Sequence, residues 1–190
     1  MKELLTQLAS IAPEMEEYIS MYQYVLDNGS EHTNSEPLTK DERDYIELIR
    51  LGLELYPKQC FHNAQMLIFN DMDNRLTYHE GYVQANAPFP VLHAWVTLNG
   101  KMVDLTLDTN TYTAEQLEAF MFKGECLNRA EDLSDRVLGT VPDGWDYFGV
   151  PFSDSVSIRN RILRREETFS LIDDWKEGLP LLKKEQRNEV

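Results

Sequence analysis

The chain has 190 residues and sets 33 acidic side chains against 18 Lys and Arg, a formal net charge of −15. That balance argues against a surface that neutralises nucleic-acid phosphates or docks on anionic lipid. It is compatible with solubility, with a basic partner or with nucleic-acid mimicry, and the length suits one domain that buries about 70% of its unfolded surface without a disulfide or metal staple.

Cys60 and Cys126 are the two cysteines, too few for a disulfide framework. No apolar run reaches the roughly 20 residues of a bilayer span. The acidic, amphipathic N-terminus lacks the layout of a secretory signal. A cytoplasmic protein with reduced thiols is the expectation.

Leu4, Leu5 and Leu8 open a short apolar face. Met15, Tyr18, Ile19, Tyr22, Val25 and Leu26 follow at three- and four-residue steps, which predicts a helix stopped by Asn28-Gly29. Residues 28–37 are polar and read as a loop. Thr39-Lys40-Asp41-Glu42 is a capping box. The helix it opens turns Tyr45, Leu48, Ile49, Gly52 and Leu55 inward and ends at Pro57. A further helix runs from about Gln59 to Asn70, with Ala64, Leu67 and Ile68 inward.

Strand character begins at Arg75–Ala85, which contains Gly81. Val91–Leu98 and Lys101–Thr106 flank Asn99-Gly100, a strong hairpin signal. Thr113-Ala114-Glu115-Gln116 repeats the capping pattern and predicts a short helix through Phe122. Tyr147–Phe152 reads as a last strand that closes the sheet or lines a cleft, with Pro151 placing it at an edge or at the strand's end. Ser155–Trp175 reads as helical, with a basic patch at Arg159, Arg161, Arg164 and Arg165. A single domain over 1–178 and a charged, frayed tail over 179–190 are expected. The fold expected is α+β: N-terminal helices, a nucleophile-bearing helix packed on a small antiparallel sheet, and C-terminal helices.

Three residues in this layout carry chemistry. Cys60 heads a helix, where free amides and the macrodipole favour a thiolate. The same amides can hold an oxyanion, with Gln59 or Asn63 adding a side-chain donor. His93 lies in an apolar strand and shares a face with Val91 and Trp95. Asp104 is an acid between Val103 and Leu105, costly in a strand unless paired. A two-residue turn at Asn99-Gly100 pairs Leu98 with Lys101, Thr97 with Met102, Val96 with Val103 and Trp95 with Asp104. That register sets Asp104 diagonal to His93 on one face, where the carboxylate can accept from one imidazole nitrogen and leave the other to the thiol. Taken singly, each residue has an ordinary reading, a packed thiol or a satisfied core histidine. Together they are the parts of a thiol nucleophile, its base and the group that orients the base.

Cys60 opening a helix, Glu80-Gly81-Tyr82-Val83, His93-Ala94-Trp95-Val96 and Val103-Asp104-Leu105-Thr106 together resemble the core of the transglutaminase-like superfamily, within the wider papain-like group of thiol enzymes. The resemblance covers about a quarter of the chain. It implies Cys60 as nucleophile, His93 as base and Asp104 as its orienting acid, with Gln59, Asn63 and Trp95 as candidate oxyanion or substrate-positioning residues. The family often has Asp-Pro ahead of the Thr, where this chain has Asp104-Leu105-Thr106. No Trp precedes Cys60 to serve as an oxyanion donor, which argues against glutamine–lysine cross-linking.

Other signals are weaker. Cys60, His62, His79, His93 and Cys126 include no CxxC, HxxxH or HExxH pair, so no metal is expected. His62 points away from Cys60 on the helix. The arginine patch is a solvated face or a grip for a substrate carboxylate or phosphate. The expected function is cofactor-free, cysteine-dependent acyl transfer on a protein, peptide or small amide, with hydrolysis favoured over cross-linking. The competing expectation is a non-catalytic acidic interaction module that keeps the fold and binds a basic partner or mimics nucleic acid.

Overall fold

The computed structural model of the protein describes residues 1–12, 18–33, 36–56, 59–85, 89–106, 139–141, 144–164, 170–172, 175–176 and 179–183. Among them the helices are α1 (Lys2–Ile11), α2 (Met21–Asn28), α3 (Lys40–Arg50), α4 (Cys60–Asn70) and α5 (Ser155–Leu163). The strands are β1 (Tyr18–Ser20), β2 (Ser30–His32), β3 (Leu76–Ala85), β4 (Val91–Leu98), β5 (Lys101–Val103), β6 (Trp145–Phe152), β7 (Trp175–Lys176) and β8 (Leu179–Lys183). Five strands form an antiparallel sheet in the order β2-β6-β3-β4-β5, and three form a second sheet in the order β1-β8-β7. The class is α+β. No helix among the described residues is long and apolar enough to cross a membrane.

Strand alternation gives the larger sheet two buried faces. Tyr78 and Tyr82 of β3, Ala94 and Val96 of β4, and Phe148 and Val150 of β6 join Ala64, Leu67 and Ile68 of α4 in the main core. Val83, Trp95, Met102 and Tyr147 make a smaller cluster on the opposite face. The expected inward residues of α4 are therefore those that pack on the sheet.

Gly81 sits opposite Gly149 in the β3–β6 register. A Cβ on Gly81 would collide with Phe148 O and the Gly149 Cα. The glycine pair lets two long strands approach at the centre of the sheet. At the β4–β5 turn, Asn99 and Gly100 take positive φ angles of 52° and 78°, as a two-residue hairpin demands. The register is Val96–Val103, Thr97–Met102 and Leu98–Lys101, as the Asn-Gly signal predicts.

The Thr39 capping box forms in both directions: Glu42 N–H donates to Thr39 Oγ1, and Thr39 N–H donates to Glu42 Oε2 at 2.8 Å. Glu42 also accepts from Asn99 Nδ2 at 2.8 Å and from Lys101 Nζ at 2.9 Å. These donors, Asn99 first, hold the Glu42 carboxyl down at about 2. The start of α3 is thereby clamped to the hairpin that leads to Asp104.

Several expectations are corrected. The apolar stripe from Met15 to Leu26 is not one helix: Tyr18–Ser20 pairs with β8, and Ser20 accepts from Tyr22 N–H as the N-cap of α2. A strand turning into a helix keeps Ile19 and Met21 buried and so imitates a single stripe. The polar loop over 28–37 contains β2, which pairs with β6; as the outer strand of its sheet it carries polar side chains. In α3 the inward residues are Glu42, Tyr45, Ile46 and Ile49, while Leu48 is 63% exposed. That helix ends at Arg50, ahead of Gly52 at φ 79°.

β6 is an inner strand flanked by β2 and β3. Pro151 falls beyond the reach of β2, at the strand's end, where its missing N–H costs no ladder bond on that side. The expected C-terminal helix stops at Leu163. Ser170–Ile172, β7 and β8 are not helical, and the start of the expected frayed tail is ordered as β8, whose Leu181–Lys183 pair with β1. The Thr113 capping pattern, Cys126, Arg165 and residues 184–190 lie outside the described residues.

Candidate active site

Cys60 is the first residue of α4 and is 7% exposed. The first intrahelical bond runs from Asn63 N–H to Gln59 O at 2.9 Å, so the amides at the thiol's end of the helix are those that the α-helical pattern leaves over. Gln59 is the exposed N-cap, and its side chain makes no capping bond.

His93 is 3% exposed and Asp104 is 7% exposed. Their side chains meet at 2.6 Å between Nε2 and Oδ2. Cys60 acts on the same imidazole and, like Asp104, raises its pKa. With Nε2 on the carboxylate, Nδ1 is the nitrogen left to face sulfur. Burial pulls the imidazole's pKa down, but the charges of Asp104 and Cys60 and their hydrogen bonds outweigh it and push it up to about 10. The favoured form of His93 is thus an imidazolium against the Asp104 carboxylate.

The hairpin register brings Asp104 to this position, with one difference from expectation. β5 ends at Val103, so the Trp95–Asp104 pair is not part of the ladder. Asp104 instead turns its carboxylate back on the chain: Thr106 N–H donates to Oδ1 at 3.0 Å, an Asx-type turn that competes with strand pairing. The other oxygen, Oδ2, is then presented to His93.

Asn63 is buried and its amide is committed to the scaffold. Its Oδ1 accepts from Tyr56 N–H at 2.9 Å, and its Nδ2 donates to Tyr56 O at 2.9 Å and to Thr106 Oγ1 at 2.8 Å. It therefore ties the segment entering α4 to the segment leaving β5, which are the segments that carry Cys60 and Asp104. His62 is half-buried, with its ring 5.4 Å from Tyr56. Its pKa is lowered by burial.

Trp95 is buried behind the imidazole. It stacks on His93 at 6.1 Å and on His79 at 5.7 Å, with interplanar angles of 17° and 4°. His32 meets His79 and Trp95 edge-on, at 4.5 Å and 5.3 Å. Burial lowers His32 to about 4, and burial together with the charge of His32 lowers His79 to about 3. Both rings are neutral at pH 7, in contrast to His93. Among the described residues no group of three His, Cys, Asp or Glu side chains is arranged to hold a metal ion.

Tyr147 donates to Asp104 Oδ2 at 2.9 Å. The motif pattern around Cys60, His93 and Asp104 does not include it, because it arrives from β6 through long-range pairing with Val83. The signal that could have found it is the alternation of Trp145, Tyr147 and Gly149, which puts Tyr147 on the face of Gly81 and His93. Glu80, on the opposite face, is fully buried and accepts from Tyr78 Oη, Ser170 Oγ and the amides of Leu171 and Ile172. Burial raises its pKa against those bonds. Arg159 of the basic patch donates to Ile68 O, Asp71 O and Asn74 Oδ1, so it closes the C-terminus of α4.

In comparison with known proteins, no family model, curated protein or solved structure matches this chain.

Proposed function

We propose that the protein is a cysteine-dependent acyl-transfer enzyme with a transglutaminase-like core, and that it hydrolyses an amide in a protein, a peptide or a small molecule. The observation that carries the reading is the His93 Nε2–Asp104 Oδ2 contact of 2.6 Å, made by a buried imidazole on which Cys60, at the head of α4, also acts. The same three groups scattered through a core would need separate partners; here each satisfies the next.

The chemistry follows from the proton's place. With the proton on His93, Cys60 Sγ attacks the amide carbonyl carbon as a thiolate. The C=O π electrons move to oxygen, and amides at the start of α4 face the oxyanion. Collapse breaks the C–N bond, and the amine leaves with the proton from His93. The resulting thioester is attacked by water, which gives a proton to the now neutral imidazole. The C–S bond breaks, the acid departs and the thiolate–imidazolium pair returns. Asp104 holds the imidazole's orientation and charge throughout. The absence of a Trp ahead of Cys60 and the place of Trp95 behind the imidazole favour water over an amine as acceptor.

Intact-mass analysis after incubation with a panel of activated esters and peptides tests the reading. A single acyl adduct on Cys60, absent from Cys60→Ala and cleared by hydroxylamine, is the expected result. Acylation that persists in Cys60→Ala would contradict it.

A further inference from the structure

The Asp104 carboxylate accepts from three directions. His93 Nε2 lies 2.6 Å from Oδ2, the Tyr147 hydroxyl donates to that same oxygen at 2.9 Å, and Thr106 N–H donates to Oδ1 at 3.0 Å. Tyr147 is 1% exposed, and its ring lies 6.2 Å from His93 and 5.1 Å from Trp95. A phenol buried here has placed its one proton on the oxygen that the imidazole depends on.

We propose that Tyr147 is a positioning residue for His93: by sharing Oδ2 it fixes the plane of the Asp104 carboxylate and sets how firmly that carboxylate holds the imidazole proton. This rests on the reading of Cys60 and His93 as the reacting pair, and it adds the residue that tunes the base. A donor on a carboxylate offsets part of its charge, and that charge is what favours the imidazolium. Removing the phenol hydroxyl therefore raises the pH at which His93 loses its proton, and a stronger donor lowers it. Among the described residues, the groups facing His93 are Asp104 beyond β5, Cys60 on α4, Tyr147 on β6 and, behind Trp95, His79 on β3 with His32 on β2. Tyr147 is the one among them whose bond to the carboxylate can be removed by deleting a single oxygen, with acid, base and thiol left in place.

The test is an NMR titration of the ¹⁵N-labelled His93 ring, assigned by comparison with His93→Gln. It is run on the wild type, on Tyr147→Phe and on protein carrying 3-fluorotyrosine at position 147. The wild-type ring is expected to titrate above the ordinary imidazole range. The midpoint should rise by about 0.5 to 1 pH unit in Tyr147→Phe and fall with fluorotyrosine, whose more acidic hydroxyl donates more strongly. A role in packing alone would move stability and leave the midpoint in place. Midpoints of both variants equal to a raised wild-type value would overturn the role of Tyr147. A wild-type ring that titrates at the ordinary value would overturn the His93–Asp104 pairing beneath it, and the proposal with it. If Tyr147→Phe does not fold, the fluorotyrosine protein, which keeps ring and hydroxyl, carries the test alone.

Discussion

At the scale of single residues, the site depends on which nitrogen of His93 meets which partner. Nε2 is taken by Asp104, so the ring's other edge is available to sulfur, and the carboxylate charge keeps the proton on the ring. Asp104→Asn keeps the shape but removes that charge. It is expected to lower the rate of Cys60 acylation by about 10²- to 10⁴-fold, as a stopped-flow or mass-based acylation assay would show, and to lower the melting temperature at pH 7, because the stabilisation of the buried imidazolium goes with the charge. Cys60, His93 and Asp104 were legible in the sequence because local signals place each one: a helix start, an apolar strand, and an acid in a strand beyond an Asn-Gly turn. Asn63 was legible only as a neighbour of the thiol. Its role as a clasp between Tyr56 and Thr106 depends on a contact 43 residues away in the chain. Tyr147 was hidden for the same reason.

At the scale of elements, local chemistry wrote what was legible. The capping box of α3, the Asn99-Gly100 hairpin with its register and the inward face of α4 all follow from residues within a few positions of one another. The elements that were misread draw their identity from distant partners: β1 from β8, β2 from β6, and Ser170–Ile172 from Glu80. Short polar strands have no periodicity to show, and a strand that runs into a helix imitates a helical stripe. The centre of the sheet is more exacting than its ends. Gly81→Ala would push a methyl into the backbone of β6 and is expected to cost about 3 kcal/mol, measured by urea denaturation. The same substitution at Gly100, where a Cβ would meet nothing within 4 Å but φ is 78°, would cost about 1 kcal/mol. Equal costs at the two sites would contradict the close approach of β3 and β6.

At the scale of the whole molecule, two kinds of histidine set opposing pH dependences. His32 and His79 are neutral in the folded state, at about 4 and about 3, against an ordinary value of 6.5. The unfolded chain takes up these protons first as pH falls, so stability is full above 6.5 and is lost progressively below it. His93 runs the other way: held up at about 10, it contributes fully below 6.5 and loses that contribution as pH rises toward 10. Replacing His32 and His79 together by Phe is expected to flatten the fall in unfolding free energy between pH 7 and pH 5, read from denaturant melts. An unchanged slope would contradict the burial of both rings as neutral bases. The net charge of −15 fits the acyl-transfer enzyme and the acidic interaction module alike, so it does not separate them. The thiol does. Alkylation by iodoacetamide at pH 7, followed by peptide mass analysis, should modify Cys60 at least about ten times faster than Cys126 in the wild type, with the difference lost in His93→Ala. Equal, slow labelling of both cysteines, unaltered by His93→Ala, would contradict a thiolate–imidazolium pair and leave the fold as a binding module.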